Sequence, residues 1–442
     1  MIATMAAAAA QGFDVETATR AYLDLLQGPA RARSDAYFEG GYWLILWNAV
    51  VAVLGYGLLL VTGASARLSA WAARVTRRRW LQPGLYALPF TLATALIFLP
   101  WTIYEDFVRE AQYGLMSQTF AAWGVDQLKA LVIGLIGNFL FFIVIFAVIR
   151  RFRRAWWAIG AAVTIAFLFL AVAITPVFVA PLFNTYSEMP AGPLRDRIVA
   201  VARENRIPAD HIYVSDASRQ TKRISANVSG IGPTIRITLN DNLLNRTGPD
   251  EVLAVMGHEM GHYVLNHVRN LVLGLGAILL LLFFLASRIV PGLIARHPRW
   301  GVRDVADPAS APLFLAFVSV AMVPLTPVMN TIVRHNESQA DAFGLDAARA
   351  PDGFAKAAMR LSEYRKIEPG PVEEALFFDH PSGATRVRMS MQWKKDHVPN
   401  AQVERPALQF DSDAARLRPG LCRARDRGTR RDAGRRHHAR RA

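Results

Sequence analysis

Six apolar runs, near 42–62, 84–104, 128–149, 157–180, 271–294 and 311–333, interrupt an otherwise mixed pattern. Each approaches the ~20 residues of helix that a bilayer core requires. A buried soluble helix could explain any one of them; six together point to a polytopic membrane bundle. The fourth run ends in Thr175-Pro176 and the sixth contains Pro324 and Pro327. These two helices are therefore predicted to kink or break where they meet protein rather than lipid. Around the last two runs the pattern turns polar. Residues 184–270 show a helix at about 191–205, strand-like alternation through Ile212 to Ser215 and Ile235 to Leu239, and then a second helix. Helical periodicity resumes after 334, through Ala340 to Ala348 and Gly353 to Tyr364. The pattern predicts a mainly α protein: a helix bundle of about six spans with a small α/β domain split in sequence by a transmembrane hairpin.

The predicted division is a polar segment at 1–41, four spans at 42–183, the first part of the α/β domain at 184–270, the hairpin at 271–333, the second part at 334–404 and an arginine-rich tail at 405–442. The tail has almost no apolar periodicity and is expected to be disordered. There is no internal repeat.

Composition agrees with a membrane protein, at 52% hydrophobic residues and a mean hydropathy of +0.21. The single cysteine, Cys422, excludes an internal disulfide framework and a cysteine-based metal site. A net charge of +15 suggests nucleic acid at first sight, yet 11 arginines against two aspartates at 416–442 supply about +9 of it. No specific nucleic-acid partner is expected. Arginines outnumber lysines about 44 to six, the bias of a GC-rich coding sequence, which suggests a bacterial source and its inner membrane. Residues 1–12 are alanine-rich without a basic start, so no cleavable signal peptide is expected and the first span would direct insertion.

The sharpest chemical signal is His258-Glu259-Met260-Gly261-His262. Histidines four apart lie about 40° from each other on a helix, so both imidazoles can reach one ion. Glu259 is turned roughly 100° from His258, outside the ligand set but near enough to accept a proton from a metal-activated water. A catalytic zinc site needs a third protein ligand. The extended histidine pattern requires Gly at 265 and His at 268, where the chain has Leu265 and Val268. His267 falls one position early on another helical face; it reads as a metal contact or as a helix-end histidine. Glu337 fits better. Asp341, four residues on, shares its face and could hydrogen-bond a ligand histidine, with a solvated acidic face as the plainer alternative. The run holding Glu337 begins where the sixth span ends, just as the histidine helix ends where the fifth begins. An antiparallel hairpin would thus return Glu337 to His258 and His262. Closeness in sequence to Glu337 does not place His335 in the site.

With these residues assembled, the chain resembles the CAAX prenyl protease 1 type of membrane zinc endopeptidase over about residues 85–395. The resemblance runs through Thr175-Pro-Val-Phe-Val-Ala-Pro-Leu-Phe-Asn184, Ser225-Ala-Asn-Val-Ser-Gly230, His258 to His262, Asn330 through Asp341, and Asp379-His-Pro-Ser-Gly-Ala-Thr-Arg386. It implies a gluzincin-type protease domain beside helices that enclose a water-filled chamber. It further implies one Zn2+ held by His258, His262 and Glu337, with Glu259 as the base. By the same resemblance, Asn227 lies on an edge strand that holds the substrate backbone, His380 stabilises the tetrahedral intermediate and Arg386 braces the site with Asp341. From chemistry alone His380 is a loop histidine and Arg386 a solvated cation. The implied partners are peptides or proteins at the membrane, including lipid-modified ones, and membrane lipid itself. A heat-shock-type membrane quality-control metalloprotease and a catalytically idle scaffold are the alternatives. The eukaryotic members carry an extra N-terminal span, whereas residues 1–41 here are polar. The short loops at 63–83 and 150–154 are rich in arginine, and the positive-inside rule puts them in the cytoplasm and the metal site on the other side, opposite to the family's usual placement.

Overall fold

The computed structural model describes residues 13–207, 211–230 and 235–408. The expected disorder of the tail and the position of Cys422 fall on 409–442, outside the described residues. The chain opens with α1 (Val15–Leu23), capped by Asp14, whose carboxylate accepts from Thr17 N at 2.9 Å. Four long apolar helices follow, with a short one after the first: α2 (Gly28–Val61), α3 (Ala64–Val75), α4 (Gln82–Thr102), α5 (Phe120–Arg151) and α6 (Trp156–Ile174). Two more, α10 (His267–Arg296) and α11 (Ala311–Ala348), complete six helices of spanning length and hydropathy. Their outer residues, such as Leu54, Leu96 and Leu273, are apolar and exposed, while Tyr86, Phe90, Phe142, Phe146, Trp156 and Val290 pack between them. Apolar side chains on both sides are what a bundle in hydrocarbon requires.

The helices are longer than the apolar runs. The first span begins at Gly28, fourteen residues inside the segment expected to be separate and polar. Its polar start is buried against protein: Ser34 Oγ donates to Ser362 O at 2.6 Å, and Tyr37 OH to Glu110 at 2.6 Å. A hydropathy window cannot see a helix that leaves lipid and continues along a protein surface. The break expected at Thr175-Pro176 occurs as a π-helical turn, Thr175–Val179, followed by a 3₁₀ turn, Ala180–Leu182. By contrast α11 runs unbroken through Pro324 and Pro327. Thr326 donates to Met322 O and Thr331 to Pro327 O, occupying carbonyls near the interrupted turns. A second π-helical stretch, Ile103–Arg109, extends α4 and has no counterpart in the sequence reading. It carries Glu105, Asp106 and Arg109 to a polar cavity of about 550 Å³ also lined by Tyr37, Asp126 and Arg223.

Between α6 and α10 lies the α/β part. Its elements are β1 (Tyr186–Glu188), α7 (Pro193–Glu204), β2 (Ile212–Ser215), β3 (Ala226–Ser229), β4 (Arg236–Asn240), α8 (Asp241–Arg246) and α9 (Pro249–Val264). The strands form one sheet in the order β1-β2-β4-β3, with β2 and β4 parallel and the outer pairs antiparallel. Ile198 and Ala202 of α7, Ile212, Ile237 and Leu239 of the sheet, and Val252, Met256 and Met260 of α9 share one buried core. One face of α9 is thereby fixed against the sheet. The domain closes with α12 (Pro351–Leu361), α13 (Pro371–Phe377) and α14 (Gly383–His397), against which α1 docks: Tyr22 OH donates to Asp352 at 2.6 Å and Arg20 to Glu368 at 2.7 Å.

Candidate metal centre

Helix α9 begins with Pro249 at its first position and two acids in its first turn, as the orphan amides and dipole of a helix start favour. Glu251 accepts from Gly248 N at 3.3 Å and pairs with Arg360 of α12 at 2.7 Å, anchoring the helix end. Toward α11 the helix presents Gly257 and Gly261. A Cβ on Gly257 would lie 2.8 Å from Gly344 O, one on Gly261 3.0 Å from Ala340 Cα, and one on Gly344 2.7 Å from His258 N. The two helices therefore touch backbone to backbone, and this close approach brings Glu337 and Asp341 to the histidines.

His258, His262 and Glu337 each offer a ligand atom within 4.8 Å of the others. The two Nε2 atoms are 3.1 Å apart; Glu337 Oε2 is 3.2 Å from that of His258 and Oε1 is 3.4 Å from that of His262. Glu337 is buried, and its Oε2 faces only the Nε2 atoms of His258 and His380, each 3.2 Å away, with no backbone or hydroxyl donor among the described residues. A buried carboxylate oxygen that converges with two imidazole nitrogens is stabilised by a cation between them, so the donor set suits a divalent ion. Burial opposes charge on His258, but the hydrogen bond and charge of Asp341 outweigh it and raise the pKa to about 9. Burial and then the neighbouring His258 charge lower His262 to about 4. Without a metal the pair thus carries one proton, on His258, which a divalent ion would displace. Burial, reinforced by Glu337 and opposed by His258, lifts Glu259 to about 7.

Asp341 is fully buried and accepts from His258 Nδ1 at 2.7 Å. Arg386 of α14 binds it through both nitrogens of one edge, with Nε donating to Oδ2 at 2.8 Å and Nη2 to Oδ1. The structure brings His380 to the same place: its Nε2 is 3.2 Å from Glu337 Oε2, and its Nδ1 is 2.8 Å from Asp379. The loop bearing it is held by Arg334, which donates to Glu374 O at 2.9 Å and to Phe378 O, and by Glu374, which accepts from Ser382 N at 2.8 Å. A cavity of about 210 Å³ runs beside these groups, walled by Ile224 to Ala226, His258, Glu259, Phe354, Leu361 and His380. Asn227 is exposed on β3, an edge strand of the sheet among the described residues, one residue beyond that wall.

His267 does not join the ligand cluster. It stands behind His262, with its Nδ1 2.9 Å from His262 Nδ1, and His335 lies further out, at 3.3 Å from Gln339. Sequence reasoning missed Gln339, Arg334, Glu374 and Asp379. Only Asp379 carried a local signal, an acid directly before the candidate histidine.

A profile of peptidase family M48 matches residues 188–394, and one for the CAAX prenyl protease N-terminal region, described by five membrane helices, matches 26–185. The chain belongs to peptidase family M48, in its CAAX prenyl protease 1 branch. It is a multi-pass membrane metalloendopeptidase. Among its relatives is an uncharacterized metalloprotease, YhfN, of Bacillus subtilis, 29% identical across 78% of this chain and 81% of that one. Another is CAAX prenyl protease 1 of Saccharomyces cerevisiae, 27% identical across 66% and 68%. The crystal structure of S. mikatae Ste24p superposes with a TM-score of 0.66 at 20% identity, covering 83% of this chain and 99% of that one, a likeness of fold. Within 26–185 four helices reach spanning length among the described residues; α3 has 12 residues.

Proposed function

We propose that this M48 peptidase is a zinc endopeptidase that cleaves membrane-associated or lipid-modified peptides and proteins. The observation that carries the proposal is the convergence of the ligand atoms of His258, His262 and Glu337 within 4.8 Å of one another, with Glu259 on the wall of the adjoining cavity. When bound, zinc supplies the Lewis acidity that activates a water and polarises the scissile carbonyl. His258, His262 and Glu337 would hold it. Glu259 then takes the proton of the attacking water and delivers it to the leaving amine, a double duty suited to a carboxyl on the cavity wall. His380, whose Nδ1 is held by Asp379, stands on the cavity wall and stabilises the oxyanion. Arg386 acts at one remove, fixing the Asp341 carboxylate that in turn orients His258. The free edge of β3, with Asn227, aligns an extended peptide backbone by strand addition.

The substrate class draws support from two sides. The yeast relative's name describes a prenyl protease, and six spanning helices keep this site at the membrane, where lipid-modified chains reside. The test is zinc-dependent cleavage by the purified protein, comparing wild type with Glu259→Gln. The variant is expected to keep about one zinc per chain and to lose a factor of about 10²–10⁴ in turnover. A zinc-loaded, fully active variant would overturn the role of Glu259. Parallel reactions on a peptide with and without a prenyl group test the substrate class; equal kcat/KM for the two would remove lipid recognition from the proposal.

A further inference from the structure

We propose that His267 is a positioning residue for the metal site, holding the ligand His262 in the one tautomer that can bind zinc. The proposal rests on the zinc reading above. A straight helix would turn a residue five positions beyond His262 about 140° away from it. The chain avoids this by ending α9 at Val264 and placing Asn266 in the left-handed region, at φ 57° and ψ 43°, before α10 begins at His267. Asparagine is one of the few non-glycine residues that adopt this region readily. The effect is to bury His267, 3% exposed between the exposed residues Leu265 and Val268, with its ring 5.0 Å from that of His262.

The hydrogen bonds then run in one direction. Nε2 of His262 faces His258 and Glu337, so it must keep its lone pair for the ion, and the ring proton must sit on Nδ1. That proton is donated across 2.9 Å to Nδ1 of His267. His267 accordingly carries its own proton on Nε2, which donates to the Gln339 amide oxygen at 3.1 Å, a group that can only accept. The amide nitrogen of Gln339 donates to His335 Nε2 at 3.3 Å, so every donor in the row meets an acceptor. The opposite direction would place a proton on His262 Nε2, where the metal must go. The two ligand histidines are thus oriented differently, His258 by the Asp341 carboxylate and His262 by a neutral imidazole that Gln339 directs. Gln339 lies two residues from Glu337 on α11, so the row joins the helices that carry all three ligands.

The experiment measures zinc affinity of the purified full-length protein by competition with a chelator, independently of turnover. His267→Ala is expected to weaken zinc binding about 10–100-fold and Gln339→Ala by less, with the double variant no weaker than His267→Ala alone, because both act through one nitrogen. His267→Gln, which returns an acceptor, is expected to recover part of the loss, and the visible bands of the cobalt-substituted protein should shift in His267→Ala and shift back in His267→Gln. Zinc affinity within twofold of wild type in His267→Ala would overturn the proposal. So would a loss matched by an equal fall in the melting temperature of the zinc-free protein, or a double variant whose losses simply add. His262→Ala separates the two levels: if it leaves zinc affinity intact, the zinc site itself is wrong, whereas if it abolishes binding while His267→Ala does nothing, only the positioning role fails.

Discussion

Glu259 and Asp341 are both buried acids within reach of His258, and their partners give them opposite chemistry. Asp341 has Arg386 along one edge and His258 on Oδ1, so its charge is matched. Glu259 has no cation bonded to it, and burial lifts its pKa from 4.5 to about 7 in the absence of metal. A carboxyl whose pKa is raised in the folded state stabilises that state below its unfolded value, and the contribution is lost as pH rises through the folded value. Relative to zinc-free Glu259→Gln, which keeps the contributions of His258 and His262, zinc-free wild type should therefore lose stability between about pH 4.5 and 7. At pH 8 the variant is expected to be the more stable by up to about 3 kcal/mol, with the difference vanishing near pH 4.5, as urea unfolding of the chelated protein would measure. Equal stability at pH 8 would mean that Glu259 titrates as an ordinary carboxyl. At this scale the sequence was readable where spacing on a single helix decides the matter, as for His258 and His262. His267 was not, because its position depends on a chain break at Asn266, for which the only local hint is that asparagine tolerates the left-handed region.

The contact of α9 with α11 matters more to the site than any single side chain. Gly257, Gly261, Ala340 and Gly344 let the two backbones meet, and the register of that meeting sets the distance from Glu337 to the histidines. In Gly344→Ala the new Cβ would stand 2.7 Å from His258 N, where only backbone could give way. The helices must then separate or slide, at a cost of about 1–3 kcal/mol, and the third ligand moves with α11. We expect at least a tenfold loss of zinc affinity together with a lower melting temperature. Gly292→Ala, in α10 with no atom within 4 Å of the added carbon, is the control and should keep both or gain a few tenths of a kcal/mol. The strands at Ile212 and Ile235 and the return of the hairpin could be read from periodicity and topology. The π-helical turn at Ile103–Arg109 and the polar extension of α2 could not, since neither changes apolar periodicity in a way that separates it from an ordinary helix end.

On the scale of the whole molecule the charge is distributed along the membrane normal. At the end remote from the metal site, three short turns meet: Arg150 donates to Arg79 O at 2.6 Å and to Ala306 O at 3.3 Å, and Ser69 to Asp307 at 2.6 Å. These turns and their flanks carry Arg67, Arg74, Arg77, Arg78, Arg79, Arg151, Arg153, Arg154, Arg299 and Arg303. At the site end, Arg20 precedes the first spanning helix and Arg31 and Arg33 lie in its polar first turns, the short turn at 113–119 has no charge, and the stretch 183–266 exceeds the ~60 residues over which the positive-inside rule is counted. The balance favours a cytoplasmic arginine end and a metal site on the opposite face. With Cys422 replaced by alanine, an impermeant thiol reagent on intact bacterial cells should then label an Arg203→Cys chain, exposed on α7, and spare an Arg153→Cys chain until the membrane is opened. The reverse labelling would place the site in the cytoplasm. It would also mean that the ten arginines are retained for contact with anionic headgroups of the outer leaflet and do not set the topology.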